Sequence, residues 1–332
     1  NKIKIIGDQS LSKRDFSRVT KPLSKIGASF FPINKSKLPI SILGSDYLRP
    51  INFYENRGSA QCKTCIMFAS LNTPGEMKII AHKSRDHTEL MFKNLKIPIN
   101  VTKGKKVDLI KVSSPKLISN FNIKVPGDIS SASFFIVLTI LSKNSELILK
   151  HINLNPSRLG VIKILNKMGA KIKTKNIKNY NGEKCGDIYV KSVQNIKSIN
   201  CPSSLNSSAI DEFLIIFLVA CKAKGISFFK NLSELDQKES PRLKLGSKIL
   251  NMIGIKTKLT KSSIKIYGNP NLSLDRHFII KNYLKDHRIM ALCTIAALTL
   301  GGSWKIFDPK SIQTSFPSFF KILKKNFRAK II

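Results

Sequence analysis

One kind of helix returns along this chain at a nearly constant interval. Amphipathic segments, in which apolar residues step by three and four, end at Gly27, Lys96, Gly169, Gly254 and Arg328. These ends lie 69, 73, 85 and 74 residues apart, which indicates an internal repeat. A repeat of this length is one supersecondary unit that must cover its apolar face with its neighbours. The chain is therefore restricted to an architecture of similar modules.

A second, more apolar helix is predicted upstream of each later amphipathic helix. These helices open with small or polar residues, at positions 58–61, 127–132, 207–212 and 286–288. A β-type segment lies between the two helices, at positions 77–81, 146–152, 226–231 and 303–307. Alternating strands follow, so one unit reads β-α-β-α-β-β, and five such units are visible. Because the upstream helices are hydrophobic nearly all round, we expect helices inside and sheets outside, an α/β (α+β) fold.

The length of 332 residues and the hydrophobic share of 42% allow two domains with sizeable cores. A proline interrupts the strand pattern at Val125-Pro126. We therefore expect one lobe of two units at 1–125 and a second lobe of three units at 126–332. No signal peptide is visible, and the longest apolar run, 213–221, is too short to cross a bilayer. We expect a cytoplasmic protein and, since it opens with Asn1 rather than Met, a fragment.

The net charge of +37 is extreme for a chain of this size. Such a charge is typical of proteins that bind nucleic acid or an anionic membrane surface. The lysines are scattered, however, without a long basic block or interleaved aromatic residues. We therefore interpret the charge as compositional drift that still suits anionic small substrates. We expect neither a membrane partner nor a dedicated nucleic-acid surface.

One cysteine and histidine pattern offers an alternative interpretation. Cys62 and Cys65, followed by His82 and His87, resemble a Cys2His2 zinc spacing. The 16 residues between the second cysteine and the first histidine exceed the usual spacing, and residues 66–69 continue an apolar helix. We favour core packing for the cysteines and expect no metal. The alternative is a basic zinc-containing nucleic-acid-binding protein.

The stretch before the fourth amphipathic helix combines three charged side chains with a helix start. Lys238, Glu239 and Arg242 lie on a turn, and Pro241 suits the first turn of the helix that follows. A helix N-terminus carries unpaired N–H groups and a partial positive charge. Two cations beside it favour an anion, and a carboxylate among them could transfer a proton.

Similar polar residues open the other helices. Arg14, Ser59, Gln61, Arg85, Asp211 and Arg288 all lie at or just before predicted helix starts. Hydroxyl, amide and guanidinium groups at such positions bind phosphates and carboxylates. We interpret two further acidic residues, Asp86 and Asp128, as helix caps.

A set of short motifs carries a resemblance to one family. They are Gly-Ser-Ala-Gln at 58–61, Ser-Arg-Asp-His-Thr-Glu at 84–89, Pro-Gly-Asp-Ile-Ser-Ser-Ala at 126–132, Asp-Glu-Phe at 211–213, Lys-Glu-Ser-Pro-Arg-Leu at 238–243, Asp-His-Arg-Ile-Met at 286–290 and Thr-Ser-Phe-Pro at 314–317. In this order they resemble the 3-phosphoshikimate 1-carboxyvinyltransferases, the 5-enolpyruvylshikimate-3-phosphate (EPSP) synthases of the shikimate pathway. The resemblance covers essentially the whole chain and points to the Gly-Ser-Ala-Gln subgroup.

The resemblance implies a two-lobed enolpyruvyl transferase fold of six β-α-β-α-β-β units with the substrates in a cleft between the lobes. Five of the six units are visible here, and the first is missing. The family's Lys-Ser…Arg motif and Asn-x-Gly-Thr loop have no matching positions. We therefore expect full activity to need the missing unit and this chain to be inactive alone.

The resemblance also implies the reaction and the residue roles. The enolpyruvyl group of phosphoenolpyruvate passes to the 5-hydroxyl of shikimate 3-phosphate, and phosphate is released. The implied phosphoenolpyruvate-binding residues are Arg14, Gln61, Arg242 and Arg288. The implied shikimate-3-phosphate-binding residues are Ser59, Ala60, Gln61, Arg85, Asp211 and Lys238. Asp211 and Glu239 are the implied catalytic residues, with no cofactor, and we expect a monomer.

Two further interpretations stay open. The first is the enolpyruvyl transferase that acts on UDP-N-acetylglucosamine, which shares the fold. The motifs at 238–240 and 85–88 disfavour it. The second is an inactive remnant, or one half of a split enzyme.

Overall fold

The computed structural model describes residues 2–327 and 329–330, without the side chains of Gln9 and Ser10. The helix end predicted at Arg328 lies outside the described residues. The chain forms two compact units. The first runs to Lys124 and includes Asn179–Glu183, and the second comprises Val125–Lys178 and the chain from Lys184 onward. The assignment of two and three repeats to the two lobes stays a prediction.

The first unit contains four helices and seven strands among the described residues. In chain order they are β1 (Lys2–Ile5), α1 (Gln9–Ser12), α2 (Ser17–Ile26), β2 (Ser29–Phe31), β3 (Ile40–Leu43), β4 (Asn52–Glu55), α3 (Ala60–Ala69), β5 (Glu76–His82), α4 (His87–Asn94), β6 (Ile99–Lys103) and β7 (Val107–Ser113). Its core is built around Ile66, Met67, Ile79, Phe92 and Ile110, which are almost fully buried.

The second unit carries the remaining seven helices and eight strands of the described residues. They are α5 (Ile129–Leu141), β8 (Glu146–Asn153), α6 (Gly160–Lys167), β9 (Lys171–Tyr180), β10 (Glu183–Lys191), α7 (Asn206–Ala209), α8 (Phe213–Cys221), β11 (Gly225–Phe229), α9 (Arg242–Met252), β12 (Thr257–Leu259), β13 (Ile264–Gly268), β14 (Leu274–Ile280), α10 (His287–Leu300), β15 (Gly301–Ile306) and α11 (Phe319–Phe327). The tip of the β9–β10 hairpin belongs to the first unit.

The sheets confirm the internal repeat. Four antiparallel sets of strands have the same order, in which the last strand in sequence lies in the middle: β1-β3-β2, β5-β7-β6, β8-β10-β9 and β11-β13-β12. In three cases, parallel pairing joins the antiparallel set to the chain segment just before it. Strand β4 pairs in parallel with β5, and Gly127 forms an isolated parallel bridge with Ile152. The first predicted unit shows only β-α-β-β in the described residues, and the last shows only β-α-β-α.

The helices divide into the two predicted kinds. All nine residues of α8 are buried, and α5 is buried from Ile129 to Ile140 except at Ser131, because both helices are apolar on every side. The amphipathic helices α2, α6 and α9 are followed by glycines with positive φ at 27, 169 and 254, as predicted. The arrangement of helices inside and sheets outside is confirmed.

No single helix within residues 2–327 and 329–330 is long and apolar enough to cross a membrane. One bent pair, Ser203–Ala209 with Phe213–Cys221, meets the length and composition criteria together, with an angle of 119° between its parts.

We predict that Gly268→Ala destabilises the second unit. A Cβ at this position would lie 2.2 Å from the carbonyl oxygen of Ala223 and 2.6 Å from that of Ala220, at the end of α8. Because backbone must shift to admit the methyl group, we expect the free energy of unfolding to fall by about 1–3 kcal/mol. Urea unfolding measures the change. Gly44→Ala is the control, since a Cβ there meets nothing within 4 Å. Equal stabilities of the two variants would contradict the prediction.

Candidate functional site

The N-terminal ends of four helices in the second unit carry charged residues that contact one another. Helices α5, α8, α9 and α10 pack together in the core of this unit. Their first residues, or the residues just before them, carry the acidic and basic groups singled out in the sequence. Each end exposes N–H groups without helical partners and a partial positive charge. Such a cluster needs acidic side chains or bound anions to stabilise it.

Arg242, the first residue of α9, lies at the centre of the cluster. Its side chain is only 2% exposed. Its Nε donates to Oδ2 of Asp286 at 2.9 Å, and a terminal nitrogen donates to the Glu239 carboxylate. The other terminal nitrogen lies 3.4 Å from Oδ1 of Asp211. Three carboxylates therefore hold one buried guanidinium.

Asp286 connects two of these helices. It is the N-cap of α10, where its Oδ1 accepts from the backbone N–H of Arg288 at 2.9 Å, and its Oδ2 accepts from the Ser240 hydroxyl at 2.7 Å. Burial alone would raise the pKa of Asp286. The positive charge of Arg242 and these hydrogen bonds outweigh burial and hold the pKa below its ordinary value.

Asp211 precedes α8 and faces three cationic groups. The ammonium of Lys238 and a guanidinium nitrogen of Arg242 each lie 3.4 Å from its Oδ1. A nitrogen of Arg288 lies 3.9 Å from its Oδ2, and the same guanidinium donates to the Asp211 backbone carbonyl at 2.8 Å. Facing cations favour the ionised form of a carboxylate, which is the form that accepts a proton.

A second group of side chains extends this cluster toward α5. Glu212 is fully buried at the start of α8, and its carboxylate accepts from the Ser130 hydroxyl. Arg158 donates to the same hydroxyl at 2.6 Å and to Asp128 at 2.9 Å. Asp128 also caps α5 through the backbone N–H of Ser131, so its prediction as a cap is confirmed.

The Glu212 carboxyl has an unusual electrostatic environment. Full burial raises its pKa, the positive charge of Arg288 opposes that effect, and the neighbouring charge of Asp211 adds to it. His287, the first residue of α10, has a lowered pKa because of burial and the adjacent Arg288. Its imidazole is therefore neutral near pH 7.

The start of α9 differs in detail from the predicted one. Pro241 is the N-cap residue, whereas we predicted it in the first turn. A proline side chain has no hydrogen-bond acceptor, so it cannot cap the helix. Asp236 supplies the acceptor instead, because its Oδ1 accepts from the backbone N–H groups of Leu243 at 2.8 Å and Lys244 at 3.4 Å.

In the first unit, Ser59, Ala60 and Gln61 open α3. The Ser59 hydroxyl caps the helix by accepting from the backbone N–H of Cys62 at 3.3 Å, and Gln61 is exposed. Arg85 is half-buried in the turn before α4. Arg14 is half-buried just before α2, a helix that packs on α3.

A buried lysine links the α3 and α4 starts. Lys63 is 3% exposed, and its ammonium donates to the backbone carbonyl of Arg85 at 2.9 Å. It also lies 2.5 Å from the carboxylate of Glu89, which is buried on α4. The hydroxyls of Thr64 and Thr88 add a contact of 2.7 Å between the two helices. The turn that carries Arg85 is therefore fixed relative to the start of α3.

The prediction that the Asp86 side chain caps α4 is wrong. This residue occupies the N-cap position of α4 but makes no side-chain capping hydrogen bond. Its carboxylate instead lies 3.2 Å from the ammonium of Lys103, on the neighbouring strand β6. The cation competes successfully with the helix N–H groups for the carboxylate.

The four side chains of the zinc hypothesis have other neighbours. Cys62 and Cys65 lie on α3, where burial and its neighbour Cys62 raise the pKa of Cys65. His82 lies beside the Tyr54 hydroxyl, and Nδ1 of His87 contacts the Glu183 carboxylate at 2.7 Å. Across residues 2–327 and 329–330, no group of three or more His, Cys, Asp or Glu side chains is placed to hold a metal ion.

The structure brings together five of the residues singled out in the sequence: Asp211, Lys238, Glu239, Arg242 and Arg288. Sequence reasoning gave no role to Glu212, Asp286 or Lys63. Asp286 did carry a signal, since an acidic residue directly before an apolar helix is a typical N-cap. Lys63 is a lone charge within an apolar helix, which predicts a buried partner.

Comparisons with known proteins give a consistent result. A family model described as EPSP synthase (3-phosphoshikimate 1-carboxyvinyltransferase) matches residues 1–323. A 3-phosphoshikimate 1-carboxyvinyltransferase from Caldicellulosiruptor bescii is 37% identical over 321 residues, which cover 96% of this chain and 73% of that protein. The structure of EPSP synthase from Acinetobacter baumannii matches with a TM-score of 0.85 at 32% identity, covering 97% of this chain and 73% of the other.

A more distant likeness concerns the fold alone. The enolpyruvyl transferase NikO from Streptomyces tendae is 12% identical, and its structure matches with a TM-score of 0.68 over 98% of this chain and 72% of the other. The arrangement of helices and sheets is therefore shared beyond close relatives.

We predict that Asp286→Asn lowers the free energy of unfolding by about 3–5 kcal/mol near pH 7, because the buried charge of Arg242 loses its main partner. A carboxylate with a lowered pKa stabilises the folded state above the ordinary Asp pKa, about 3.9, and loses that contribution as pH falls through the folded value. The difference between wild type and variant should therefore shrink in acid. Urea unfolding at several pH values measures it, with the exposed Asp275→Asn as control. A pH-independent difference would contradict this account.

We also predict that Lys63→Met destabilises the first unit more than the double change Lys63→Met with Glu89→Leu. The single variant leaves Glu89 buried without its cation, which costs about 3–5 kcal/mol, whereas the double variant removes both charges. Urea unfolding followed by circular dichroism compares the two. The prediction fails if the double variant is the less stable protein.

Proposed function

The chain belongs to the EPSP synthase (3-phosphoshikimate 1-carboxyvinyltransferase) family, and from that premise we propose how its charged helix starts carry out the reaction. The family acts in the shikimate pathway and binds phosphoenolpyruvate and shikimate 3-phosphate. One observation carries the assignment of roles. The carboxylate of Asp211 faces Lys238, Arg242 and Arg288 at the N-terminal ends of packed helices.

In this proposal, guanidinium groups bind phosphoenolpyruvate. Arg242 and Arg288 already bind carboxylates in the structure, and their fork of donors suits a carboxylate or a phosphate equally well. The N-terminal ends of α9 and α10 add N–H groups and a favourable potential for an anion. The roles implied for Arg14 and Gln61 of the first unit in binding phosphoenolpyruvate stay predictions.

In the first unit, the start of α3 and the turn before α4 bind shikimate 3-phosphate in this proposal. The Ser59 hydroxyl, the backbone of Ala60 and the exposed amide of Gln61 lie at consecutive positions of one helix N-terminus. Arg85 offers its guanidinium to the phosphate from a turn that Lys63 fixes through the backbone carbonyl. The roles implied for Lys238 and Asp211 of the second unit in binding shikimate 3-phosphate stay predictions.

Asp211 and Glu239 divide the proton transfers. Asp211 removes the proton of the 5-hydroxyl as its oxygen attacks C2 of phosphoenolpyruvate, and a proton reaches C3 by way of Glu239. The resulting tetrahedral intermediate then loses phosphate, while the Glu239 carboxylate takes a proton back from C3 to form the new double bond. The contact of Glu239 with Arg242 keeps the carboxylate in place for both steps.

Family membership does not favour the alternatives of a UDP-N-acetylglucosamine enolpyruvyl transferase or a zinc-containing nucleic-acid-binding protein. A monomeric state, a cytoplasmic location and the lack of membrane and nucleic-acid partners remain part of the proposal. Two phosphorylated small molecules as substrates support them. The scattered lysines give the substrates a favourable field without a dedicated surface for a polymer.

We predict that Asp211→Asn reduces turnover by about 10²–10⁴-fold, because the amide keeps the shape of the side chain but cannot accept the hydroxyl proton. Phosphoenolpyruvate affinity should change much less, since Arg242 and Arg288 remain. Because we expect activity to need the family's first unit, phosphate release from phosphoenolpyruvate plus shikimate 3-phosphate is measured with that unit added as a separate N-terminal fragment, and Asp275→Asn on β14 is the control. Unchanged turnover in Asp211→Asn would remove this residue from the mechanism.

A further inference from the structure

Glu212 is a fully buried carboxyl group of the second unit to which the proposed reaction gives no role. It is only 1% exposed and lies next to Asp211 in the chain, at the start of α8. Its Oε1 accepts from the Ser130 hydroxyl and lies 3.9 Å from a nitrogen of Arg288. A buried carboxyl without a substrate contact needs another reason to occupy a helix start.

The partners of Glu212 come from three other elements. Ser130 lies in the first turn of α5, Arg158 in the 3-10 turn before α6, and Arg288 in the first turn of α10. Arg158 donates to the Ser130 hydroxyl at 2.6 Å, so that hydroxyl has its proton free for the Glu212 carboxylate. The series of side-chain contacts from Arg158 through Ser130 to Glu212 thus ends beside Arg288.

Arg288 itself has few strong contacts. One nitrogen donates to the backbone carbonyl of Asp211 at 2.8 Å, and the carboxylates of Asp211 and Glu212 lie 3.9 Å away. At this distance a carboxylate orients the guanidinium without the short hydrogen bonds that would compete with an arriving anion. Burial raises the pKa of Glu212, and the positive charge of Arg288 opposes that effect.

We propose that Glu212 is a positioning residue for Arg288, held through Ser130 and Arg158, and that it aims the guanidinium at the anionic groups of phosphoenolpyruvate. The inference rests on the role proposed above for Arg288. We therefore expect phosphoenolpyruvate binding to depend more on the hydrogen bonding and the size of the side chain at position 212 than on its negative charge.

The test compares two replacements at this position, with the family's first unit added as a separate fragment so that KM values can be measured. Glu212→Gln keeps an acceptor for Ser130 and the size of the side chain, and Glu212→Ala removes both. We expect Glu212→Ala to raise KM for phosphoenolpyruvate by about tenfold or more, the loss typical of a contact to a charged group. KM for shikimate 3-phosphate should stay within about twofold, and Glu212→Gln should recover phosphoenolpyruvate KM to within about threefold. Equal changes in both KM values, or a Glu212→Gln variant as weak as Glu212→Ala, would overturn the proposal.

A pair of serine variants on α5 provides a matched control. Ser130→Ala removes the hydroxyl that holds Glu212, whereas Ser133→Ala removes a buried hydroxyl that donates only to the backbone carbonyl of Ser130 at 2.7 Å. We expect a higher phosphoenolpyruvate KM in Ser130→Ala alone. If Glu212→Ala fails to fold, this pair and Glu212→Gln decide the question, and equal KM values in the two serine variants would refute the proposal.

A spectroscopic measurement tests the positioning of Arg288 independently of the proposed reaction. In ¹⁵N-labelled protein, the guanidinium NH signals of Arg288, assigned by their loss in Arg288→Lys, should be sharp in wild type and Ser133→Ala and broadened in Ser130→Ala and Glu212→Ala. Wild-type protein that shows these signals but releases no phosphate, even with the family's first unit added as a separate fragment, would count against the proposed function alone. Signals that are identical in wild type and Glu212→Ala would count against the positioning role alone.

Discussion

A buried positive charge at a helix start must find a negative partner, and this requirement organises the second unit. The N-terminal ends of α9 and α10 and the guanidinium of Arg242 all carry positive charge in the same small volume. Asp286, Glu239 and Asp211 supply the compensation. Asp286 is fully enclosed and serves the fold, whereas Asp211 and Glu239 retain some exposure. The carboxylates that compensate the buried positive charge therefore include two that solvent can reach.

In the first unit, the buried positive charge of Lys63 is compensated by one buried carboxylate, that of Glu89. Lys63 and Glu89 neutralise each other inside the packed helices, and the ammonium also donates to the backbone carbonyl of Arg85. This pair has no accessible member, so it orders the backbone without taking part in proton transfer. The two units thus use buried charge differently: in the first it orders the backbone, and in the second it orders the helix starts and, in the proposed mechanism, also serves proton transfer.

The periodic features of the fold could be predicted from the sequence, but the partners of buried charges could not. Helix ends at Gly27, Gly169 and Gly254 follow from local patterns, and so does the gathering of Lys238, Glu239 and Arg242 on one turn. The contact of Arg242 with Asp286 joins residues 44 positions apart, and that of Ser130 with Glu212 joins residues 82 apart. No local pattern encodes such pairs. The cap predicted at Asp86 failed for the same reason, since Lys103 on a later strand captures the carboxylate.

The shared strand order has a consequence for how the protein is made. In each of the four antiparallel sets, the strand that arrives last from the ribosome must enter the middle: β3, β7, β10 or β13. Until it emerges, its two neighbours have no hydrogen-bonding partner on that side. Each antiparallel set can therefore be completed only after its last strand has been synthesised, so the sheets of the growing polypeptide are completed one after another along the chain.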